Sequence, residues 1–468
     1  METSYDVRIH KTQIYKGKKT TTRYVRWSVA AHRFKEPFKT RALAESFRGE
    51  LISAASKGEA FFVTDGLPVS KVRSNQDVYW YEFACQYVDM KWNAASANYR
   101  RSIAEALTTV TIVMLNESKG RPDGATLRRA LCRWAFNKTK RDSEHTPRAL
   151  AAVLKWVAAH TKPVSSLGKM DVLRNVLDAI AQRIDGKPSA ATVIGRKRAV
   201  LANAIGYAME RKILAANPLT EIAWTAPKAS HVVDKRSVVN PIQARTLLIA
   251  IRGQEPSGPR LVAFFGLMYY AALRPEEAVN VRRQNVCLPP LKWNVETQQW
   301  EEPDDNWGEL YLERATPDAG ADWTDSGKHR DERQLKHRAV GEGRTVPIAP
   351  ELTILLRQHL ASFEPGDGGR LFTGVRAAEL PRVTYDRAWR SARAATFTDE
   401  YLESPLARTP YTLRHACVST WLNGGVPATQ VAEWAGHSVD VLLKVYAKCL
   451  HGQQHQARKR IEAALRQE

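Results

Sequence analysis

From Asp77 to about Leu214 the chain reads as one helical segment after another, and this run limits the molecule to a mainly α architecture. VYWYEFACQYVDMKW, NYRRSIAEALTTVTIVML, TPRALAAVLKWVAAH and SAATVIGRKRAVLANAIGYAMERKIL all place apolar residues at helical spacing. Pro122, Pro147, Pro163, Pro188 and Pro218 fall between these segments or at their ends. A residue that lacks an N–H and fixes φ is tolerated there and not in a helix interior. Trp80, Trp92, Trp134 and Trp156 are read as core residues rather than base-stacking groups.

The flanks differ. Residues 1–65 read as three short strands followed by a helix that stops at Gly58, with turns at Gly17 and at Ala30-Ala31-His32. GLPVSKVRSN (66–75) and the polar, Pro-punctuated stretch 223–241 read as linkers. Beyond the second linker, PIQARTLLIAIRG and GPRLVAFFGLMYYAALRPEEAVNV resume the helical pattern. Residues 285–350 read as short strands around a charged excursion, TDSGKHRDERQLKHRAVGEGR, expected to be a flexible insertion or hairpin tip. Helices then return, and HQARKRIEAALRQE closes the chain as a short amphipathic helix. The expected fold is multidomain and mainly α. It has a small N-terminal β-sheet plus helix over 1–65, a helical domain over 76–222, and a mostly α domain with a small antiparallel sheet over 235–468.

Charge narrows the partners. Lys and Arg number 70 against 49 Asp and Glu, a net charge of +21. An excess this large favours a polyanion. The first 50 residues alone hold 12 Lys and Arg against 5 Asp and Glu, interspersed with Tyr24, Trp27, Phe34 and Phe38. A basic sheet of this kind can lie on a duplex. The strongest apolar run, Leu261 to Leu273, is too short to span a bilayer, and the first residues lack an apolar signal region. Five scattered cysteines without a CxxC pair argue against a disulfide framework or zinc site and for a reducing cytoplasm. Nucleic acid is the expected partner, and a membrane is not.

Cleaving a phosphodiester by transesterification needs a nucleophile, cations on the non-bridging oxygens and a proton donor for the leaving oxygen. TPYTLRHACVSTWLNGGVPATQVAEWAGHSVDVLLKVYAKCL (409–450) brings Arg414, His437 and Tyr446 into one short segment. YYAALRPEEAV adds Arg274. Arginine suits the clamp because its planar fork meets two phosphate oxygens and stays charged. A phenol ordinarily titrates near 10 and needs help to attack at neutral pH. No acid-rich metal constellation is visible in the sequence, so a route without metal or cofactor is expected.

In order, ALRPEEA, LKHR…GRTVP, YTLRHACVSTWL, AGHS and VYAK resemble the tyrosine recombinase (phage integrase) family, over roughly residues 235–450. That family's catalytic pattern is Arg, Lys, His-x-x-Arg, His or Trp, and Tyr. The resemblance makes Arg274 and Arg414 the phosphate clamp, His437 a further donor and Tyr446 the nucleophile. Glu277 matches an acidic residue that helps hold the site, although an ordinary helix N-terminal carboxylate explains it equally well. Lys336 is the preferred match for the general-acid lysine, with Lys328 as its rival. The middle segment looks like the family's core-type DNA-binding domain, and the N-terminal sheet resembles an arm-type module.

One position departs from the pattern. Tyr411 stands where the His-x-x-Arg box has its histidine. A phenol can donate a hydrogen bond to phosphate but is a poor base at neutral pH, so Tyr411 is expected to replace a hydrogen bond. His415 is four residues on and is expected to pack structurally rather than to take over as base. The resemblance implies a site-specific DNA recombinase that integrates or excises a mobile element through a 3′-phosphotyrosine. It implies a homotetramer on double-stranded DNA with core and arm attachment sites, and it leaves room for host DNA-bending or directionality proteins. A type IB topoisomerase and a non-catalytic DNA-binding protein of the same fold are the alternatives.

Overall fold

The computed structural model describes residues 3–16, 21–69, 78–143, 145–228, 230, 232–336, 338–339, 341–375 and 379–446, with Arg458, Glu462 and Leu465 beyond them. The expected turn at Gly17, most of the first linker and most of the closing helix lie outside the described residues. The chain divides into two compact units, residues 1–93 with 103–226, and residues 94–102 with 227–468.

In the first unit the long strand Thr21–Val29 organises the N-terminal sheet. His32–Phe38 pairs along one edge of it, in register from Arg23↔Phe38 to Val29↔His32. The other edge is shared by two pieces, Val7–Ile9 and Gln13–Lys16. The first of the three expected strands is thus interrupted, with His10 N–H still donating to Arg26 O at the break. Side chains alternate as strand geometry requires. Val25, Trp27 and Val29 are buried with Ala44, Leu51 and Ala54 of the helix Arg41–Ser56. Arg26 and its cross-strand partner Lys35 lie on the opposite face, with the Lys35 ammonium 3.7 Å from the Tyr24 ring centre. Thr40 starts the helix by accepting from Leu43 N–H.

The helical part of this unit contains Trp80–Trp92, Gly124–Ala130, Arg148–His160, Met170–Ala181 and Ala191–Glu210. Trp80 and Trp92 are buried as expected, and Trp80 Nε1 donates to Thr111 Oγ1 at 2.8 Å. Trp134 and Trp156 are only half-buried. Trp134 faces the Lys140 ammonium and Trp156 stacks on His160, so polar neighbours cover what the core does not. No described helix is long and apolar enough to cross a membrane.

The second unit is built on the helix Gly258–Tyr270, buried along most of its length. It packs against Pro241–Arg252, Pro350–Ser362, Arg382–Thr396 and Tyr411–Asn423. Pro241–Arg252 begins with a reciprocal capping box between Asn240 and Gln243 and with proline at its first position. A three-stranded antiparallel sheet, in the order Arg344–Ile348, Gly308–Leu312, Val286–Cys287, supplies the expected small sheet. The charged excursion is a hairpin. Arg314–Ala315 pairs with Arg333–Gln334, and Asp318 bridges Arg330. Its tip is held by specific contacts. Arg100 Nη1 donates to Trp323 O and to Asp325, Arg330 is buried against Thr316 O, and Asp331 accepts from Ser326.

Trp389 is fully buried in this core and its Nε1 donates to Ala407 O at 2.9 Å. Trp389→Ala is expected to lower stability by about 3–5 kcal/mol. Trp389→Phe should cost less, about 1–3 kcal/mol, chiefly by leaving the Ala407 carbonyl without its donor. Urea unfolding of the two variants checks both values.

Candidate active site

Two chain reversals bring backbone carbonyls to Arg274 and Arg414. The helix Gly258–Tyr270 ends in a tight turn in which Ala271 and Leu273 N–H both donate to Leu267 O. Ala272 there is left-handed, at φ 51°, a conformation unfavourable for a residue with a Cβ. The helix Ala428–Ala435 ends at Gly436, φ 65°, with His437 N–H donating back to Ala432 O. Both helix C-termini therefore present carbonyls, the negative end of their dipoles, to one place. Arg414, on the helix Tyr411–Asn423, occupies it. Its guanidinium donates from Nη1 to Ala272 O and from Nη2 to Ala435 O, and the residue is fully buried. Arg274 Nη2 donates to Gly436 O at 2.9 Å.

Glu277 holds the other side. Arg274 and Glu277 are one helical turn apart, and Arg274 Nη1 donates to Glu277 Oε1 at 2.9 Å. The carboxylate also accepts Arg274 N–H at 2.8 Å. Arg344 completes the arrangement with two bonds, Nη1 to Oε1 at 3.0 Å and Nη2 to Oε2 at 2.8 Å. Its Nε donates to Trp434 O. Glu277 is thus far more than a helix-terminal carboxylate. Burial would raise its carboxyl, but Arg344, followed by Arg274 and Arg414, overcomes this and holds it well below the usual carboxylate range. Burial lowers the Arg414 guanidinium, and Arg274 lowers it further.

Sequence reasoning gives Arg344 no role, although a signal is present. In Arg344–Ile348 the residues Arg344, Val346 and Ile348 alternate inward, so the arginine lies on the buried face. Two buried guanidinium groups, Arg274 and Arg344, then share one carboxylate with a third, Arg414, nearby, and the pocket is strongly cationic. Each guanidinium has five N–H donors. Several are not taken by the carbonyls and the carboxylate, and Arg414 Nε is buried without a partner among the described residues.

The two histidines sit beside the tyrosine. His437 Nε2 lies 2.7 Å from Arg414 Nη2. Arginine can only donate, so Nε2 accepts and Nδ1 carries the imidazole proton. That Nδ1–H is buried without a partner among the described residues. Burial first, then Arg414 and Arg274, push His437 down to about 3. Tyr446, at the end of the helix Val439–Tyr446, is fully buried, its ring stacked near His437 at 6.2 Å between centres. Its hydroxyl lies 2.9 Å from His415 Nδ1. His415 thus packs against Tyr411 and Tyr446 and also makes this hydrogen bond. Burial first, then Arg414, push it down to about 4. The residue before the tyrosine is tied down as well, because Val445 O accepts Val233 N–H at 3.0 Å.

Tyr411 shares a helix face with Arg414 and His415. Its ring meets His415 edge-on at 5.1 Å between centres, and the Arg414 guanidinium lies 6.0 Å from its centre. It also lines a cavity of about 660 Å³ with Arg101, Arg330, Arg382, Arg390 and Arg408. The structure thus brings together Arg274, Tyr411, Arg414, His437 and Tyr446. The lysines are not joined to this group. Lys336 follows the strand Arg333–Gln334 and is exposed beside buried Leu335, and Lys328 is exposed at the hairpin tip. Neither ammonium makes a hydrogen bond or ion pair among the described residues.

A cationic pocket thus lies beside a hydrogen-bonded tyrosine on a mostly helical unit. Residues 238–451 match the model of the phage integrase family. Among curated proteins no sequence matches. Among solved structures, the Tn1549 transposon integrase in complex with a circular intermediate DNA is similar at 13% identity and TM-score 0.46, covering 70% of this chain and 97% of that one. XerH site-specific recombinase bound to a palindromic difH substrate is similar at 12% identity and TM-score 0.45, covering 82% and 95%. A lambda integrase dimer bound to a COC′ core site is similar at 13% identity and TM-score 0.44, covering 92% and 94%.

Glu277→Gln removes the charge that two buried arginines share, and is expected to destabilise by about 3–5 kcal/mol. Denaturant unfolding at pH 7 checks this. The histidines set an acid limit with a definite sign. An unfolded imidazole titrates near 6.5, whereas folded His415 and His437 stay neutral down to about 4 and about 3. Between about pH 6.5 and pH 4 the unfolded chain takes up protons that the folded one refuses, so stability falls as pH falls. Unfolding free energy measured across this window should show that slope, and His415→Asn should make it shallower.

Proposed function

We propose that this protein is a site-specific DNA recombinase that integrates or excises a mobile element through a covalent 3′-phosphotyrosine. The buried surplus of guanidinium charge around Glu277, with the Tyr446 hydroxyl beside it, carries this reading. Arg274 and Arg414 bind the non-bridging oxygens of the scissile phosphate, and the His437 Nδ1–H adds a donor. Tyr446 attacks phosphorus, and the 5′ oxygen leaves as a hydroxyl after taking a proton from Lys336, with Lys328 as its rival. The phosphotyrosine keeps the energy of the phosphodiester, so a 5′ hydroxyl from a partner strand can attack it and rejoin DNA without ATP. Tyr411 replaces a hydrogen bond in this scheme and not a base.

The assignment extends to the rest of the chain. Residues 1–65, with the basic outer face of their sheet, serve as an arm-site module, and residues 76–222 as the core-site domain. Residues 235–468 carry the catalysis. The working assembly is a homotetramer on two duplexes.

The test is covalent trapping. Wild-type protein is incubated with a random-sequence pool of nicked duplexes, without divalent metal, and adducts are recovered under denaturing conditions. An adduct mapped to Tyr446 is expected, with none from Tyr446→Phe, and the recovered duplexes should share a sequence. Relaxation of plasmids that lack that sequence would point to a topoisomerase instead. The absence of any adduct would point to a DNA-binding protein without catalysis.

A further inference from the structure

We propose that His415 is the general base that takes the hydroxyl proton of Tyr446, a role that rests on reading Tyr446 as the nucleophile. The nucleophile needs a proton acceptor, and the position at which the family resemblance places a histidine is Tyr411. The structure offers two imidazoles beside the Tyr446 ring. His437 is excluded as the acceptor, because its Nε2 lone pair is used by Arg414 Nη2 and its Nδ1 then carries a proton. His415 remains, with Nδ1 2.9 Å from the hydroxyl oxygen. It lies one helical turn after Tyr411 on the same face, and the Tyr411 ring edge packs against it. The imidazole of His415 thus stands one helical turn beyond Tyr411, with the two rings in contact.

The groups around His415 suit the role. On its own helix it faces Tyr411 and Arg414, and from the other elements Tyr446 and His437. Burial and the Arg414 charge keep it neutral in the DNA-free protein, and in the tautomer protonated at Nε2 its Nδ1 lone pair accepts the Tyr446 hydroxyl 2.9 Å away. A phosphate bound to Arg274 and Arg414 brings negative charge next to it, which favours the imidazolium at the moment the proton arrives. The step balances. The Tyr446 Oη–P bond forms as P–O5′ breaks, the phenol proton passes to His415 Nδ1, and the 5′ oxygen takes a separate proton from the general acid. In religation the imidazolium returns its proton to the departing phenolate.

The experiment uses full-length protein and the nicked duplex recovered by covalent trapping, in single-turnover cleavage. His415→Gln is expected to slow adduct formation by about 10²–10⁴-fold, the usual size of a general-base contribution. Replacing the 5′ bridging oxygen with sulfur, a leaving group that needs no acid, should restore Lys336→Ala and leave His415→Gln slow. Replacing Tyr446 with a fluorotyrosine, which ionises more easily, should recover much of the His415→Gln rate, and added imidazole should accelerate His415→Ala. The variant rate should also climb with pH beyond the point at which wild type levels off. A His415→Gln rate within about twofold of wild type would overturn the proposal. So would a loss that is parallel at every pH and indifferent to imidazole and to fluorotyrosine. Should His415→Gln fold poorly by its melting curve, the imidazole response of His415→Ala and the fluorotyrosine effect on wild-type pH dependence decide the matter. Failure of wild type to form an adduct at Tyr446 would instead remove the reading on which this one rests.

Discussion

A single carboxylate ties together the buried arginines of the second unit. Glu277 is 1% exposed and binds Arg274, three residues before it, and Arg344, from a strand 67 residues later. Without it two guanidinium groups would be buried with no counter-charge, which costs several kcal/mol per ion even after relaxation. With it they remain close to a third, Arg414, and the cluster keeps a positive surplus. A buried surplus of this sign is relieved by an anion with several acceptor oxygens, and a phosphodiester is one.

Backbone strain serves the same end. Ala272 and Gly436 both have positive φ, at the ends of two different helices, and each reversal turns carbonyls toward an arginine. Glycine adopts this conformation freely, while alanine does so at a cost of about 1–2 kcal/mol. A Cβ on Gly436 would also sit 2.9 Å from Arg344 Nη1 and 3.4 Å from Arg274 Nη1. The close approach of guanidinium groups to this turn therefore depends on the missing side chain as much as on the dihedral angles.

Much of this is legible in the sequence, for identifiable reasons. Helical spacing and proline placement mark the middle segment, and the basic strands mark the sheet. Arg274, Arg414, His437 and Tyr446 are legible because each lies within a short local pattern. Arg344 is harder to read, since an arginine opening a strand normally faces water, and only the inward alternation of Val346 and Ile348 places it inside. His415 could not be assigned, because its partner lies 31 residues away on another helix. The order of the charged hairpin tip is hidden for a similar reason. Its anchor is Arg100, more than 220 residues earlier in the chain.

The bond from Val233 N–H to Val445 O has a mechanical meaning. Val233 opens the second unit after Pro227, and Val445 is the peptide neighbour of Tyr446. Val233 also shares a buried apolar cluster with Leu442 and Tyr446, so this stretch and the tyrosine are joined by packing as well as by the bond. A shift of that stretch must either give up the bond and this packing or carry the end of the helix Val439–Tyr446 with it. The entry segment and Tyr446 are in this sense held as one piece.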